Sequence, residues 1–441
     1  MNYSEAIQFL YGLQMFGANF GLERACKLAE LAGNPQKQLR FIHVAGTNGK
    51  GSTCAMLESI YRAAGLRVGL FTSPHLVSFR ERIQVNRQLI SENDVARFVA
   101  EIQESLKTFP ADQHPTFFEV VTVLALKYFA EQKCDLVIWE TGLGGRLDAT
   151  NIVTPLASVI TNIALDHQQW LGDTLEKIAA EKAGIIKPGV PVVTAAEQPD
   201  VLRVIEETAK QVHAPFTVVA ADGNPPPTKF AALCRDAATS PLLGAHQQLN
   251  AALAVATVEV LLPQIPVTEE QIRDGLARVS WPGRLQLIER GEQKFLLDGA
   301  HNIAGVEALR TALGKIFPEV RPTFILGVLG DKDWRAMCER LAPLASRMLL
   351  VPVNSERTAS SAQLAEACRA ANPAADVASC DSLPDALARA AQDKFIVIAG
   401  SLYLVGEALV LLDPAFRGAG DERKLNEWGA ISPRQPSPKA R

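Results

Sequence analysis

The clearest indication of chemistry in this sequence is a glycine-rich segment over residues 46–52, Gly-Thr-Asn-Gly-Lys-Gly-Ser. They follow a β-rich run over 41–45 and precede a predicted helix. At such a junction the free N–H groups and the positive end of a helix face a bound anion. Glycines let the backbone approach that anion closely, and a lysine such as Lys50 neutralises its negative charge. The common Walker A pattern would have glycine at residue 44 and serine or threonine directly after Lys50, whereas this chain has Val44 and Gly51 at those positions. The pattern predicts a variant phosphate-binding loop, with an ordinary glycine turn as the alternative.

Polar side chains also follow three further predicted strands. Ser73 lies in a Thr-Ser-Pro-His-Leu segment just past one strand, Glu140 ends the next, and His167 follows a third. In open α/β sheets the carboxyl ends of the strands meet at one edge, where ligands bind. A carboxylate and a hydroxyl beside a phosphate loop are typical ligands of Mg²⁺. Taken alone, Ser-Pro indicates a turn and a single histidine is more often structural, but the shared sheet edge favours a metal site.

A second set of polar residues lies further along the chain. Asn250 falls in a predicted helix over 247–262, and Arg284 falls in a Trp-Pro-Gly-Arg segment that interrupts the alternation of strands and helices. Asp298 and His301 follow the next predicted strand. Each residue is ambiguous by itself. Together they predict polar groups on two domains that face one cleft, with an arginine from outside the core reaching phosphates.

The elements that must position these residues alternate between strand and helix, which indicates an α/β fold with mostly parallel sheets. We predict an N-terminal P-loop-type domain over 1–285, a smaller Rossmann-like α/β domain over 286–420, and a flexible tail over 421–441. A β-rich insertion is expected around 225–244. The predicted strands are 41–45, 67–72, 135–140, 157–161, 191–194 and 216–219, then 294–298, 323–328, 347–353 and 394–399.

The composition argues against several classes of protein. The 441 residues include 44 basic and 48 acidic side chains without long runs of either sign, so neither nucleic acid nor an anionic membrane is an expected partner. No apolar stretch approaches the roughly 20 residues of a membrane helix, and the start of the chain does not resemble a signal peptide. Seven scattered cysteines without a CxxC pair predict free thiols in a reducing cytoplasm, with neither disulfides nor zinc. We also expect a monomer.

Taken together, these motifs resemble those of the folylpolyglutamate synthase and dihydrofolate synthase family, within the Mur ligase superfamily. The resemblance spans most of the chain in the family's order, and the glycine loop followed by Ser-Pro-His and Gly-Leu-Gly-Gly-Arg-Leu-Asp is a specific combination. One departure is Thr141, where many relatives have an apolar residue. The matching segments are Gly46–Ser52, Ser73–His75, Thr116–Glu119, Glu140–Asn151, Leu165–His167, Glu181–Ile185, Asn250, Pro282–Arg284 and Asp298–Asn302.

The resemblance implies a role for each group of residues. The ATP phosphates would be held by Thr47, Asn48, Gly49, Lys50, Gly51 and Ser52. Asn250 would contact the adenine, Arg284 the γ-phosphate and Asp298 the ribose side. Mg²⁺ would be bound by Ser73, Glu140 and His167, with a second ion bound by a carbamylated Lys182. The pterin pocket would be lined by Thr116, Phe117, Phe118, Glu119, Leu147, Asp148 and Ala149.

The implied enzyme is an ATP-dependent ligase that adds L-glutamate to dihydropteroate, to reduced folates, or to both. ATP would convert a carboxylate into an acyl phosphate, with Mg²⁺, Lys50 and Arg284 stabilising the transferring phosphoryl group. The amine of glutamate would then attack the acyl carbon. Lys182 is also expected in catalysis, and the second domain, with His301 and Ser401, would receive glutamate.

A bifunctional enzyme is the preferred interpretation, and a monofunctional folylpolyglutamate synthase is the first alternative. Another Mur-type amino-acid ligase would leave the residues at 72–83 and 116–119 unexplained. A non-catalytic nucleotide-binding module is disfavoured because every expected metal and phosphate position is present. The partners that follow are small molecules: ATP, L-glutamate and a pteroate or folate.

Overall fold

Two mostly parallel sheets, one of eight strands and one of six, organise the chain in the computed structural model, which describes residues 1–14, 21–219, 240–416 and 420–427. Every described strand of the larger sheet precedes residue 219, and every described strand of the smaller sheet follows Leu285. The predicted fold class is therefore confirmed: a large, mostly parallel N-terminal sheet and a smaller C-terminal α/β unit.

The first sheet places the glycine loop at its centre. Its strands are β1 (Phe41–Ala45), β2 (Val68–Phe71), β3 (Ile83–Val85), β4 (Gln88–Leu89), β5 (Leu136–Glu140), β6 (Ala157–Ile160), β7 (Val192–Thr194) and β8 (Phe216–Val218). They are ordered β4-β3-β2-β5-β1-β6-β7-β8, with β3 antiparallel to both of its neighbours and the other pairs parallel. In the β1–β5 ladder Val44 is level with Glu140, so the register brings Glu140 to the start of the loop.

Helices cover both faces of this sheet. They are α1 (Tyr3–Leu13), α2 (Glu23–Leu31), α3 (Lys50–Ala63), α4 (Glu92–Leu106), α5 (Phe117–Glu131), α6 (Gln168–Leu171), α7 (Leu175–Ala183), α8 (Pro199–Gln211), α9 (Ala245–Val260) and α10 (Glu269–Ala277). Successive residues of β1 are buried on opposite faces, as a strand requires. Phe41 packs with α1, α4 and α5, whereas Ile42 and Val44 pack with α3, α9 and α10.

The second sheet has the order β13-β12-β11-β14-β10-β9, in which only the outer pair, β9 with β10, is antiparallel among the described strands. Its strands are β9 (Gln286–Arg290), β10 (Gln293–Leu297), β11 (Thr323–Leu326), β12 (Arg347–Leu350), β13 (Asp376–Ser379) and β14 (Phe395–Ala399). The helices of this domain are α11 (Ile303–Ile316), α12 (Trp334–Leu341), α13 (Ser361–Ala371), α14 (Leu383–Arg389) and α15 (Leu402–Leu412).

The ten predicted strands are all present, with ends displaced by at most three residues. Four strands were not predicted: β3, β4, β9 and β13. They are short or lie largely exposed at the sheet edges, so they lack the continuous apolar run that marks a buried strand. The expected β-rich insertion falls mostly on 220–239, outside the described residues, and residues 240–244 form no strand.

The predicted flexible tail is wrong for its first residues. Residues 420–427 pack against both domains, and a short 3₁₀ helix covers Arg423–Asn426. Leu425 is only 1% exposed and joins the core beside α1. The Glu422 carboxylate accepts hydrogen bonds from the Tyr3 hydroxyl at 2.9 Å and the Phe79 N–H at 2.6 Å. These partners are more than 300 residues away along the chain, so local sequence could not reveal them. Residues 428–441 lie outside the described ranges.

Within the described ranges, no helix is long and apolar enough to cross a membrane. The six cysteines in those ranges are free thiols, and five of them are buried. Cys234 lies outside the described residues.

Candidate active site

The glycine loop is held in shape by residues that follow β6. The N–H of Asn48 donates to Asn162 Oδ1 at 2.9 Å, and the Thr161 hydroxyl donates to the Asn48 carbonyl at 2.6 Å. Gly46 and Gly49 adopt φ angles of 151° and 83°, and a Cβ at residue 46 would collide with the Thr161 side chain. Because α3 begins at Lys50, the loop lies at the positive end of a 14-residue helix, where an anion is stabilised.

Two lysines share the carbonyl oxygen of Gly46. Lys50 Nζ donates to it at 3.2 Å and Lys182 Nζ at 2.7 Å. Lys182 is only 4% exposed. Burial and, after it, the neighbouring charge of Lys50 together lower the pKa of Lys182 to about 7. A large share of Lys182 is therefore a neutral amine at physiological pH.

Ser73 and Glu140 meet beside the loop, where the Ser73 N–H donates to Glu140 Oε2 at 3.2 Å. Glu140 is 3% exposed, and burial raises its pKa to about 7 despite the opposing charge of Lys50. His167 starts α6 with a φ of 51°. Burial, followed by the charge of Lys332, lowers the pKa of His167 to about 3, so its ring is neutral and keeps a free nitrogen lone pair.

These residues fit a hard divalent cation that is only partly bound by protein. Among the described residues no three His, Cys, Asp or Glu side chains form a metal cluster. Mg²⁺ is commonly held by one or two carboxylates, with phosphate oxygens and water completing its shell. Ser73, Glu140 and His167 suit such an incomplete set. Lys182 as an amine does not, because Mg²⁺ prefers oxygen ligands.

The second domain contributes Arg284, Asp298 and His301. Both Asp298 oxygens accept backbone N–H groups, from Leu285 at 2.9 Å and from Ala300 at 2.9 Å, so this carboxylate shapes its own loop. Arg284 Nη1 donates only to the Gly283 carbonyl, at 3.1 Å. Arg284 is thus a cation that faces the cleft without a carboxylate partner among the described residues.

An interdomain cluster centres on Asp166. Lys332 Nζ lies 2.6 Å from Asp166 Oδ1, and Asn302 Nδ2 donates to Asp166 Oδ2 at 3.0 Å. Asn302 also exchanges amide hydrogen bonds with Asn48 of the glycine loop, at 3.2 and 3.0 Å. His301 Nε2 is 3.6 Å from Asp166 Oδ2. The cluster joins the sheet edge of the first domain that carries Asp166 and His167 directly to the polar loops of the second.

An aromatic pocket lies at the start of α5. The Phe118 ring packs 6.0 Å from Phe71 and lies so close to Gly142 that a Cβ there would collide with it. Glu119 is occupied by an ion pair with Arg24 at 3.1 Å. Asp148 is likewise occupied, since its oxygens accept the Leu143 and Thr150 N–H groups at 2.7 and 3.0 Å. Both carboxylates therefore hold the pocket walls in place.

Every predicted site residue lines one cavity of about 670 Å³. Those predicted to bind the nucleotide and the metal are Thr47, Asn48, Gly49, Lys50, Gly51, Ser52, Ser73, Glu140, His167, Lys182, Asn250, Arg284 and Asp298. The others are Thr116, Phe117, Phe118, Glu119, Leu147, Asp148, Ala149, His301 and Ser401.

The same cavity is also lined by residues that were not assigned from sequence, including Arg82, Asp166, Lys332, Tyr403 and Asn426. A signal existed for two of them. Asp166 precedes the predicted metal ligand His167, and Lys332 comes shortly after the buried strand β11, both being strand-end positions. Arg82 and Asn426 carry no comparable signal, because only tertiary packing brings them to the cleft.

Known families and proteins agree with this arrangement. The Mur ligase middle domain matches residues 44–258, and the Mur ligase glutamate ligase domain matches residues 283–402. The dihydrofolate synthase/folylpolyglutamate synthase of Bacillus subtilis is 37% identical over 421 residues, covering 92% of this chain and 98% of the relative. The folylpolyglutamate synthase of Lacticaseibacillus casei is 38% identical over 423 residues, with coverages of 92% and 97%.

Solved structures are similar over nearly the whole chain. E. coli FolC in complex with DHPP and ADP superposes with a TM-score of 0.80 at 32% identity, covering 94% of this chain and 98% of that one. Mycobacterium tuberculosis folylpolyglutamate synthase complexed with ADP gives a TM-score of 0.82 at 29% identity, with coverages of 93% and 99%. The chain therefore belongs to the folylpolyglutamate synthase and dihydrofolate synthase family of the Mur ligases, and it is an ATP-dependent ligase.

Proposed function

We propose that this ligase adds L-glutamate to dihydropteroate, forming dihydrofolate, and to reduced folates, extending a polyglutamate chain. One observation carries the proposal: the glycine loop, the aromatic pocket and the polar loops of the second domain line a single cavity. A nucleotide, a flat aromatic acid and an amino acid can meet there. The Bacillus relative is named for both activities and the Lacticaseibacillus relative for one. A monofunctional folylpolyglutamate synthase is the alternative.

ATP would lie with its phosphates on residues 47–52, at the positive end of α3. Lys50 would turn from the loop carbonyls to the phosphates, and Arg284 would approach the γ-phosphate from the second domain. Asn250, whose side chain lies against Gly49 and donates to Gln247 Oε1 at 3.0 Å, would contact the adenine. Asp298, whose oxygens are occupied by backbone N–H groups, would position the loop on the ribose side.

Ser73, Glu140 and His167 would hold one Mg²⁺, and carbamylated Lys182 would hold a second. Bound Mg²⁺ supplies Lewis-acid stabilisation of charge on the phosphoryl group. The lowered pKa of Lys182 supports the modification, since only the neutral amine adds to CO₂. In that addition the Nζ lone pair of the neutral amine forms the C–N bond, one C–O π bond of CO₂ breaks and one proton is released, which converts the neutral amine into an anionic oxygen ligand.

The acceptor would stack its ring system in the pocket formed by Phe117, Phe118, Leu147 and Ala149, with Thr116, Glu119 and Asp148 supporting the walls. Its carboxylate oxygen attacks the γ-phosphorus of ATP, the bond to the β-phosphate oxygen breaks, and ADP leaves. The glutamate amine then attacks the acyl carbon, and phosphate leaves as the amide forms. His301, 3.6 Å from Asp166, would take up the proton that the amine loses.

The proposal is tested with purified protein, ATP, Mg²⁺ and L-glutamate, together with dihydropteroate or tetrahydrofolate. ADP should appear only when both organic substrates are present, and a glutamylated product should accumulate at the same rate. Product with one acceptor alone would select the monofunctional alternative. If neither acceptor supports ADP release by the wild-type protein, the proposed function is wrong. A folded Lys50→Ala variant serves as the inactive control.

A further inference from the structure

The chain's last described residues, 420–427, form a strap that crosses between the domains. Glu422 is anchored on the first domain through Tyr3 and Phe79. Arg423 Nη1 donates to the Tyr403 carbonyl of α15 at 2.8 Å. The strap thus contacts both sides of the cleft, and Leu425, Asn426 and Glu427 line the cavity itself.

One strap residue fixes a buried arginine of the first domain. Asn426 Oδ1 accepts a hydrogen bond from Arg82 Nη2 at 2.6 Å, and Asn426 Nδ2 donates to the His75 carbonyl at 2.9 Å. Arg82 Nε donates to His75 Nδ1 at 2.9 Å. Since a guanidinium only donates, His75 Nδ1 is the acceptor and Nε2 carries the proton, which it donates to the Glu422 carbonyl at 2.9 Å. Four buried groups therefore form one closed network.

This network leaves one edge of the Arg82 guanidinium without a partner. Arg82 is 4% exposed and its carbon Cζ lies 5.5 Å from the centre of the Phe117 ring. Among the described residues, Nη1 makes no hydrogen bond yet is not fully enclosed, and no carboxylate lies within 4.0 Å of the group. A buried cation is costly unless it is paired, and the carboxylates that act on Arg82, those of Glu81 and Glu140, lie beyond ion-pair distance. The place of Arg82 in the cleft wall therefore points to an anionic ligand.

Two other cations that line the cavity, Arg357 and Lys332, are already paired with carboxylates. Arg357 contacts Asp331 at 3.5 Å and Glu427 at 3.3 Å, and Lys332 contacts Asp166 at 2.6 Å. The nucleotide phosphates have their own cationic groups in the proposed reaction. A guanidinium whose Nη1 has no partner and which lies beside an aromatic ring suits a planar carboxylate, which it can bind in its own plane.

We propose that Arg82 binds a carboxylate of an organic substrate through Nη1, and that Asn426 is a positioning residue that holds Arg82 for this contact. The identity of the carboxylate rests on the proposed function: it belongs either to the pteroate or folate acceptor or to L-glutamate. The strap is then part of the substrate site, not a passive end of the chain.

Steady-state kinetics of Arg82→Lys test the contact, because lysine keeps the charge but loses the fixed planar donors. KM should rise at least tenfold for one carboxylate substrate, while KM for ATP stays within twofold. A rise for dihydropteroate identifies the acceptor, and a rise for L-glutamate identifies the amino acid. Unchanged KM values for both carboxylate substrates would overturn the proposal.

Asn426→Ala tests the positioning role of Asn426. It also provides a test of the Arg82 contact if the Arg82→Lys variant does not fold. It should raise KM for the same substrate, by about three- to tenfold, without a matching change for ATP. Lys424→Ala is the control, since Lys424 is an exposed residue of the same strap. Thermal unfolding of each free variant is measured in parallel. If Asn426→Ala lowers only the unfolding temperature and leaves all KM values as in Lys424→Ala, the strap has a structural role alone.

The wild-type assay separates this inference from the proposed function. Without wild-type turnover the proposed function fails, and the Arg82 contact is then tested by calorimetric binding of dihydropteroate and of L-glutamate. Weaker binding of one compound to Arg82→Lys than to wild type supports the contact. Equal binding of both compounds, or binding of neither to the wild-type protein, overturns it.

Discussion

Asp166 of the first domain and Lys332 of the second form an ion pair across the cleft, with 2.6 Å between Asp166 Oδ1 and Lys332 Nζ. Their side chains are only 8% and 10% exposed. Asp166 directly precedes His167, a proposed metal ligand, and Lys332 lies in the loop region after β11. The pair therefore fixes the polar loops of the second domain relative to the sheet edge of the first domain that carries Asp166 and His167.

Removing Lys332 should impair both stability and turnover. Lys332→Ala leaves a buried carboxylate without its cation, a loss that typically costs about 3–5 kcal/mol. We expect a lower unfolding temperature and a kcat/KM reduced at least tenfold, measured by thermal denaturation and the ligation assay. The control is Lys177→Ala, which removes an ion pair to Asp173 whose side chains are 62% and 73% exposed. Equal behaviour of the two variants would contradict a linking role for Lys332.

The glycine loop should not tolerate a side chain at residue 46. Gly46→Ala combines a φ of 151° with a collision against Thr161, whose hydroxyl holds the Asn48 carbonyl. KM for ATP should rise at least tenfold. Gly65→Ala is the matched control, because Gly65 has a φ of 88° but nothing within 4 Å of the added Cβ. It should cost about 1–2 kcal/mol in the free energy of unfolding and leave KM for ATP unchanged. A normal KM for Gly46→Ala would refute the loop assignment.

Acid should destabilise the fold through His43. Burial lowers the pKa of His43 from 6.5 to about 3, so between these values the unfolded chain binds one proton more than the folded chain. The free energy of unfolding should therefore fall as pH falls through this window, by up to about 1.4 kcal/mol per pH unit. His43→Gln should flatten the dependence in urea titrations at pH 7, 6 and 5. An unaltered slope for His43→Gln would count against the prediction.

Lys182 should carry a carbamate in solution. A ¹³C NMR spectrum of the protein in ¹³C-bicarbonate should show one carbamate resonance that is missing in Lys182→Ala, and the variant should lose at least about a hundredfold in kcat, as expected for loss of a metal ligand. Lys187→Ala is a control from the same region, with a half-buried lysine. Normal turnover of Lys182→Ala would leave the modification without a role.

The centre of both sheets and the nucleotide side of the site were predictable because their signals are local. β1, β5 and β6 are continuous apolar runs, and each ends in the polar residues that reach the cleft. The phosphate loop follows from glycines and a lysine between a strand and a helix. Parallel strands bring their carboxyl ends to one edge of a sheet. The sequence alone therefore indicates that the motifs following β1, β5 and β6 belong to one site.

The parts that sequence could not supply depend on contacts between distant segments. Arg82 and Asn426 are 344 residues apart, and the Asp166–Lys332 pair spans 166 residues. The sequence predicts a loose tail over the strap because short polar segments near a terminus usually lack partners. In the folded protein Leu425 is buried, and the Glu422 carboxylate accepts hydrogen bonds from protein groups such as the Phe79 N–H. Edge strand β13 was missed because its residues are only partly buried.

The most direct test of the account follows oxygen from the acceptor to phosphate. Dihydropteroate labelled with ¹⁸O in its carboxylate is incubated with the protein, ATP, Mg²⁺ and L-glutamate, and the released phosphate is analysed by mass spectrometry. An acyl phosphate requires that one labelled oxygen enter the phosphate for each amide formed. The account predicts this one-to-one transfer. Amide formation that releases only unlabelled phosphate would contradict it.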